Sequence, residues 1–233
     1  MRGKDIKMTH TVLAPLPTVT SDFETLRDRG QIYVDKTALI YKLASRSEKF
    51  FLTRPRRFGK SLLVSTFASL FKNGLKYFSG LAIEKLWKDT TYNVVEIDFS
   101  EIKNITGFED FKKQLNETLE SAFKPLGFEL NRSSDISLMK QLSAWMKTIA
   151  SNSVVLLIDE YDSPLTACLG DKALFRSVRT RLASFYATVK ANDRCFRFVF
   201  MTGIAKFNQT GIFSELNNFS DLSLDPRYGT FLG

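Results

Sequence analysis

Five consecutive apolar residues, Val154-Val155-Leu156-Leu157-Ile158, run directly into Asp159-Glu160. An uninterrupted run of this kind is a strand buried on both faces, the signature of a parallel sheet covered by helices. Lys49–Thr53, Asn93–Phe99 and Phe196–Met201 read as further strands, and Asp221–Leu224 as a short fifth. Helical periods separate them. Leu39, Ile40 and Leu43 place a helix within 34–46, with Asp35 or Thr37 as its N-cap. Leu63, Val64, Phe67, Leu70 and Phe71 share one face of a helix from Lys60 to about Phe71, stopped by Asn73-Gly74. Apolar positions at helical spacing mark three more: 108–123, ended by Pro125; 138–149; and 175–189. Strands alternating with helices predict an α/β layered fold with a mainly parallel sheet, whose ligands bind at the carboxyl ends of the strands. We expect a flexible leader over 1–18 and one domain over 19–233.

Composition removes several chemistries. The 233 residues hold one histidine, His10, so Ser-His-Asp and His-rich zinc sites are not expected. Cys168 and Cys195 lack paired spacing and read as free thiols in a reducing, cytoplasmic compartment. No run is apolar for long enough to span a membrane, and no signal-peptide core is present. The net charge is +8, and it is unevenly placed: residues 1–60 hold 13 Lys/Arg against 6 Asp/Glu, whereas the rest holds 20 against 19. Arg54, Arg56, Arg57 and Lys60 fall within seven residues. Such a cluster suits a polyphosphate or a non-specific, salt-sensitive nucleic-acid contact.

The segments that follow the strands carry the chemistry. After the first comes Arg54-Pro55-Arg56-Arg57-Phe58-Gly59-Lys60-Ser61, which matches the end of the phosphate-binding loop G-x-x-x-x-G-K-[ST], with Arg54 in place of the first glycine. Backbone amides over 58–62 at a helix N-terminus present donors to phosphate. The loop set is therefore Arg56, Arg57, Phe58, Gly59, Lys60, Ser61 and Leu62, with Lys60 on the terminal phosphates and Ser61 on Mg²⁺. After the buried strand, Asp159-Glu160 resembles the Walker B pattern: Asp159 would take Mg²⁺ and Glu160 would deprotonate the attacking water. After the fourth strand, Thr202 or Lys206 stands where many ATPases place a sensor of the γ-phosphate. Tyr33, some 20 residues before the loop, either stacks on a base or packs as a core aromatic beside the first helix; core packing is the preferred reading. Asp89 with Glu101-Ile102-Lys103 faintly resembles a metal-dependent nuclease cluster, but E-x-K is too common a tripeptide to weigh much.

Taken together, Tyr33–Thr37, Phe51–Ser61, Ile158–Asp162, Thr202–Ile204 and Ile212–Asn218 resemble the AAA-ATPase-like domain family. The resemblance spans about residues 16–233. It implies that Arg54 is the family's own loop variant, and that the fold is a three-layer P-loop NTPase of the ASCE type with strand order 5-1-4-3-2. It also implies ATP and Mg²⁺. Family members commonly continue into a helical region and a restriction-endonuclease-like domain, so this chain looks like the ATPase half of a longer protein.

Two functions follow. One is a Mg²⁺-dependent ATPase driving a conformational step, with Arg56, Arg57 or a neighbouring copy in a homo-oligomer supplying a finger. The other is a nucleotide-gated nucleic-acid or protein-binding module with little turnover. An intact Glu160 favours the first.

Overall fold

A computed structural model describes residues 14–17, 20–205, 218–229 and 231. His10, Lys206 and the 212–217 part of the family-like segment lie outside the described residues. Five parallel strands, β1 (Lys49–Thr53), β2 (Asn93–Asp98), β3 (Val154–Asp159), β4 (Phe196–Gly203) and β5 (Ser220–Asp221), form one sheet in the order β2-β3-β4-β1-β5. This is the expected 5-1-4-3-2 order read from the other edge.

Alternation along the strands divides the core into two layers. Phe50, Leu52, Val155, Leu157, Phe198 and Phe200 face α2 (Thr37–Ala44) and α3 (Lys60–Asn73). Phe67 and Phe71 of α3 meet Phe198 with ring centroids 5.1 Å apart, and Phe67 meets Phe200 at 4.8 Å. The opposite face carries Phe51, Val95, Ile97, Leu156, Ile158, Val199 and Met201. It is covered by α4 (Phe108–Phe123), α5 (Leu138–Met146) and α7 (Lys172–Ala191). The helix from Lys60 stops at Gly74, whose φ of 59° needs no Cβ, as the Asn73-Gly74 signal predicts.

Three local departures from expectation have physical causes. Thr37 is the first residue of α2, and Lys36 holds the N-cap position without a side-chain bond. The capping is done from one residue earlier, where Asp35 Oδ1 accepts from Thr37 N at 2.8 Å and Thr37 Oγ1 at 2.6 Å. The fifth strand ends at Asp221, because Ser223 offers its side chain in place of its backbone: Thr53 N donates to Ser223 Oγ at 2.9 Å. Two short helices, α1 (Phe23–Asp28) and α6 (Ser163–Ala167), were not expected; α1 is capped by Asp22 accepting from Thr25 N at 2.7 Å.

The ends of β3 and β4 are locked together. Asp162 is 1% exposed, and its carboxylate accepts from Ile204 N at 3.1 Å and Ala205 N at 2.8 Å. Tyr161 Oη donates to the Ala205 carbonyl at 2.6 Å, and Tyr161 N donates to the Thr202 carbonyl at 2.9 Å. The two segments are so close that a Cβ on Gly203 would overlap the Tyr161 ring and lie 2.7 Å from Asp162 Oδ1. Gly203→Ala is therefore expected to destabilise the domain by about 1–3 kcal/mol through overpacking. Urea unfolding should show a lower midpoint with an unchanged m-value; an unshifted midpoint would mean that the clamp yields.

Candidate functional site

The insertion of β4 between β1 and β3 brings three strand ends to one mouth. In register, Leu52 and Thr53 pair with Thr202 and Gly203, while Asp98 pairs with Asp159. The loop after β1 returns into α3 through Gly59, whose φ of 79° is left-handed. Arg54, at the position of the motif's first glycine, does not face this mouth. Its backbone N donates to the Gly203 carbonyl at 3.1 Å, and its guanidinium donates to the carbonyls of Thr53 (3.0 Å) and Ser223. The loop is thus tied on one side to β4 and on the other to the segment after β5. Arg56, Arg57, Phe58 and Gly59 are exposed around it.

Lys60 begins α3 and is only 5% exposed. Its Nζ donates to the Pro55 carbonyl at 3.0 Å, and among the described residues it has no carboxylate at ion-pair distance. A buried ammonium held by one carbonyl is under-compensated and favours the approach of an anion.

Seven of the other expected residues divide between two hollows. Tyr33, Arg57, Phe58, Gly59 and Leu62 line a largely apolar cavity of about 610 Å³. Tyr33 is mostly buried there, edge-on to Phe23 at 5.1 Å, and burial pushes its phenol up to about 12. It is both a core aromatic and a wall of the cavity. Ser61 and Asp159 line a second, polar hollow of about 570 Å³ together with Asp98 and Glu101. Thr202 is fully buried and its Oγ1 donates to Asp159 Oδ1, while Glu160 N donates to the same oxygen at 2.9 Å. Thr202 therefore orients Asp159 instead of facing the mouth. Arg56 lines neither hollow.

Glu160, half-buried, likewise lines neither hollow. Burial raises its carboxyl above the ordinary glutamate range, helped by the charges of Asp159 and Asp98 and opposed by Lys60. Its φ of 47° is left-handed. Four non-glycine residues among those described have positive φ. Two are asparagines, which tolerate it; the other two, Arg57 and Glu160, both lie at this mouth. Among the described residues no group of three or more His, Cys, Asp or Glu is placed to hold a metal ion by itself. The faint nuclease cluster is not assembled. Asp89 precedes β2 and binds Arg197 (2.9 Å) and the Tyr92 hydroxyl (2.9 Å), while Glu101 follows that strand, roughly 20 Å away along it.

Sequence reasoning missed Tyr161 and Asp162 as the clamp behind the site, and Ile32 and Ile40 as cavity wall. The position of Asp162, three residues beyond the acidic strand end, was the available signal; its burial was not.

The family model described as Predicted AAA-ATPase (AAA-ATPase_like) matches residues 17–213. An uncharacterized protein in the vnfD 5' region of Azotobacter chroococcum mcd 1 is 32% identical over 220 residues, covering 94% of this chain. The chain spans 42% of that relative's length. Among solved structures, a chain of Drosophila ORC bound to DNA aligns over 86% of this chain and 88% of its own, at 10% identity and a TM-score of 0.37. A chain of Drosophila ORC bound to poly(dA/dT) DNA and Cdc6 aligns over 87% and 28%, at 14% identity and the same TM-score. With the strand order, the glycine-led helix and a family match over most of its length, the chain belongs to the AAA-ATPase-like family, whose kind is the nucleotide-binding P-loop NTPase.

Proposed function

We propose that this domain binds ATP with Mg²⁺ and hydrolyses it in the cytoplasm, driving a conformational step. The observation that carries the reading is Lys60, a buried cation that begins a helix and has, among the described residues, no carboxylate at ion-pair distance. The triphosphate lies across this helix start, with its terminal phosphates on Lys60. The base enters the apolar cavity between Tyr33, Leu62 and Phe58, where an aromatic wall suits a flat ring. The phosphates then point toward the polar hollow of Ser61 and Asp159.

The donors in that hollow fit Mg²⁺, which is commonly held by one or two protein oxygens, with waters and phosphate oxygens completing the octahedron. Ser61 Oγ and the Asp159 oxygen not engaged by Thr202 would hold it, and it would supply neutralisation of phosphate charge. Glu160 accepts the proton of the attacking water. Its raised proton affinity makes it a better base than a solvated glutamate, and Asp159 next to it stays committed to Thr202 and the Glu160 amide.

Two substitutions test the reading. Lys60→Met keeps the packing but removes the cation. We expect nucleotide affinity, measured with a fluorescent ATP analogue, to fall about 10–100-fold, the worth of charged hydrogen bonds. The urea midpoint should not fall, because a buried charge held by a single carbonyl has been removed. Unchanged affinity in the folded variant would overturn the phosphate assignment. Glu160→Gln should still bind Mg·ATP but lose turnover by about 10²–10⁴-fold. Wild-type turnover in that variant would exclude Glu160 as the base. A wild-type chain that binds ATP but shows no release of phosphate would leave the nucleotide-gated module as the function.

A further inference from the structure

The charge excess of residues 1–60 pointed toward nucleic acid, but several of the described cations there are engaged. Arg27 donates to the carbonyls of Tyr77 and Ser79, Lys49 pairs with Asp193, Arg46 pairs with Glu48, and Arg54 and Lys60 bind the loop and its neighbours. The same chemistry is offered elsewhere by α7. Its twenty residues include five Lys/Arg and no Asp/Glu. Val178, Leu182, Phe185 and Val189 form its buried side, and Lys172, Arg176 and Arg179 lie along its outer side. Among the described residues none of these three cations has an ion pair.

Helix stability does not account for this pattern. Lys172 and Arg176 are four residues apart and Arg176 and Arg179 three, so like charges face each other on adjacent turns. Lys172 also occupies the first helical position, where the helix dipole disfavours a cation. By contrast, α4 carries Glu109 paired with Lys112 at 3.0 Å, and Glu120 paired with Arg132. A run of cations that is unfavourable on two local counts, and has no ion pair among the described residues, calls for an anionic partner.

A hollow of about 480 Å³ adjoins this stripe, lined by Phe108, Arg176, Ser177, Thr180, Arg181 and Ser184. Phe108, the first residue of α4, is 36% exposed at its wall. Arg181 Nη2 donates to Asn116 Oδ1 at 3.1 Å, and its Nε is buried with no acceptor. The hollow combines an aromatic face, guanidinium groups and small polar side chains. It continues a row of cations spaced about 6 and about 4.5 Å along the helix axis. We infer that the outer face of α7, with the hollow at Phe108, binds single-stranded nucleic acid: the cations follow the phosphates, and Phe108 stacks on a base. Both α4 and α7 start near the carboxyl ends of β2 and β3. The surface lies on the face of the sheet away from α3.

The test is fluorescence anisotropy of a fluorescein-labelled oligothymidylate across a salt series. With single strands each neutralised phosphate contributes about 0.7 to the slope of log K against log salt. Arg176→Ala/Arg179→Ala should lower that slope by about 1.4. Phe108→Ala should weaken binding about tenfold and leave the slope unchanged. Both variants should bind the fluorescent ATP analogue as the wild type does, which shows that they are folded. Glu160→Gln should bind the oligonucleotide normally, so failure of the hydrolysis reading and failure of this one are separable. An unchanged slope and affinity in the double arginine variant overturns the proposal. Equal competition by polyglutamate overturns it in favour of an acidic protein surface, and equal affinity for the matching duplex overturns the single-strand assignment.

Discussion

The arrangement of the nucleotide mouth depends on β4 lying between β1 and β3. A strand in that place has strands on both edges and helices on both faces, so it must be apolar throughout, and Phe196 to Met201 contains one polar residue, Arg197. Arg197 is where the register shifts against β3, and it spends its guanidinium on the Ala44 and Arg46 carbonyls and on Asp89. The strand keeps its core faces because its charged residue is taken up at the end far from the mouth. At the other end, the first polar side chain after the apolar run is Thr202, delivered beside Asp159. The acid that would hold Mg²⁺ is thus oriented by a neighbouring strand, and any shift of β4 would be felt at its carboxylate.

Much of this was legible in sequence because period and punctuation are local. The β3 run, the helix from Lys60 with its Asn73-Gly74 stop, and the order of loop and acidic pair needed no three-dimensional information. Features set by distant neighbours were not legible. Helices of six and five residues, α1 and α6, are too short to show a period. Thr202 looked like a phosphate contact because its place after β4 is visible in sequence, whereas its hydroxyl's partner is not. Charge was counted over spans that were too long: the excess of residues 1–60 stood out, while the unbalanced α7 was averaged away among nearly equal numbers of acids and bases.

The clamp behind the mouth gives the site its two different surroundings. Asp162 and Tyr161 turn the chain after β3 back onto the chain after β4, which leaves Glu160 alone between them in a left-handed conformation. One acidic segment therefore contains a carboxylate bonded inward at Asp162, one oriented at Asp159, and one raised in proton affinity at Glu160. Sequence neighbours of the same charge acquire separate chemistry from the bonds their backbones and side chains make, in keeping with the general rule that environment sets the role of a carboxyl group.

Arg54 also has a bearing on how such loops diverge. Its side chain reaches past the loop to the carbonyl of Ser223, while Ser223 in turn caps Thr53 at the end of β1. The strand it steadies, β5, is two residues long and has little ladder of its own. Restoring a glycine at position 54 would bring the motif closer to its common form and yet loosen the sheet's outer margin. Mutational tolerance at this position is therefore governed by the integrity of an edge strand nearly 170 residues away in sequence, and a drift toward the ordinary motif would need a compensating staple there first.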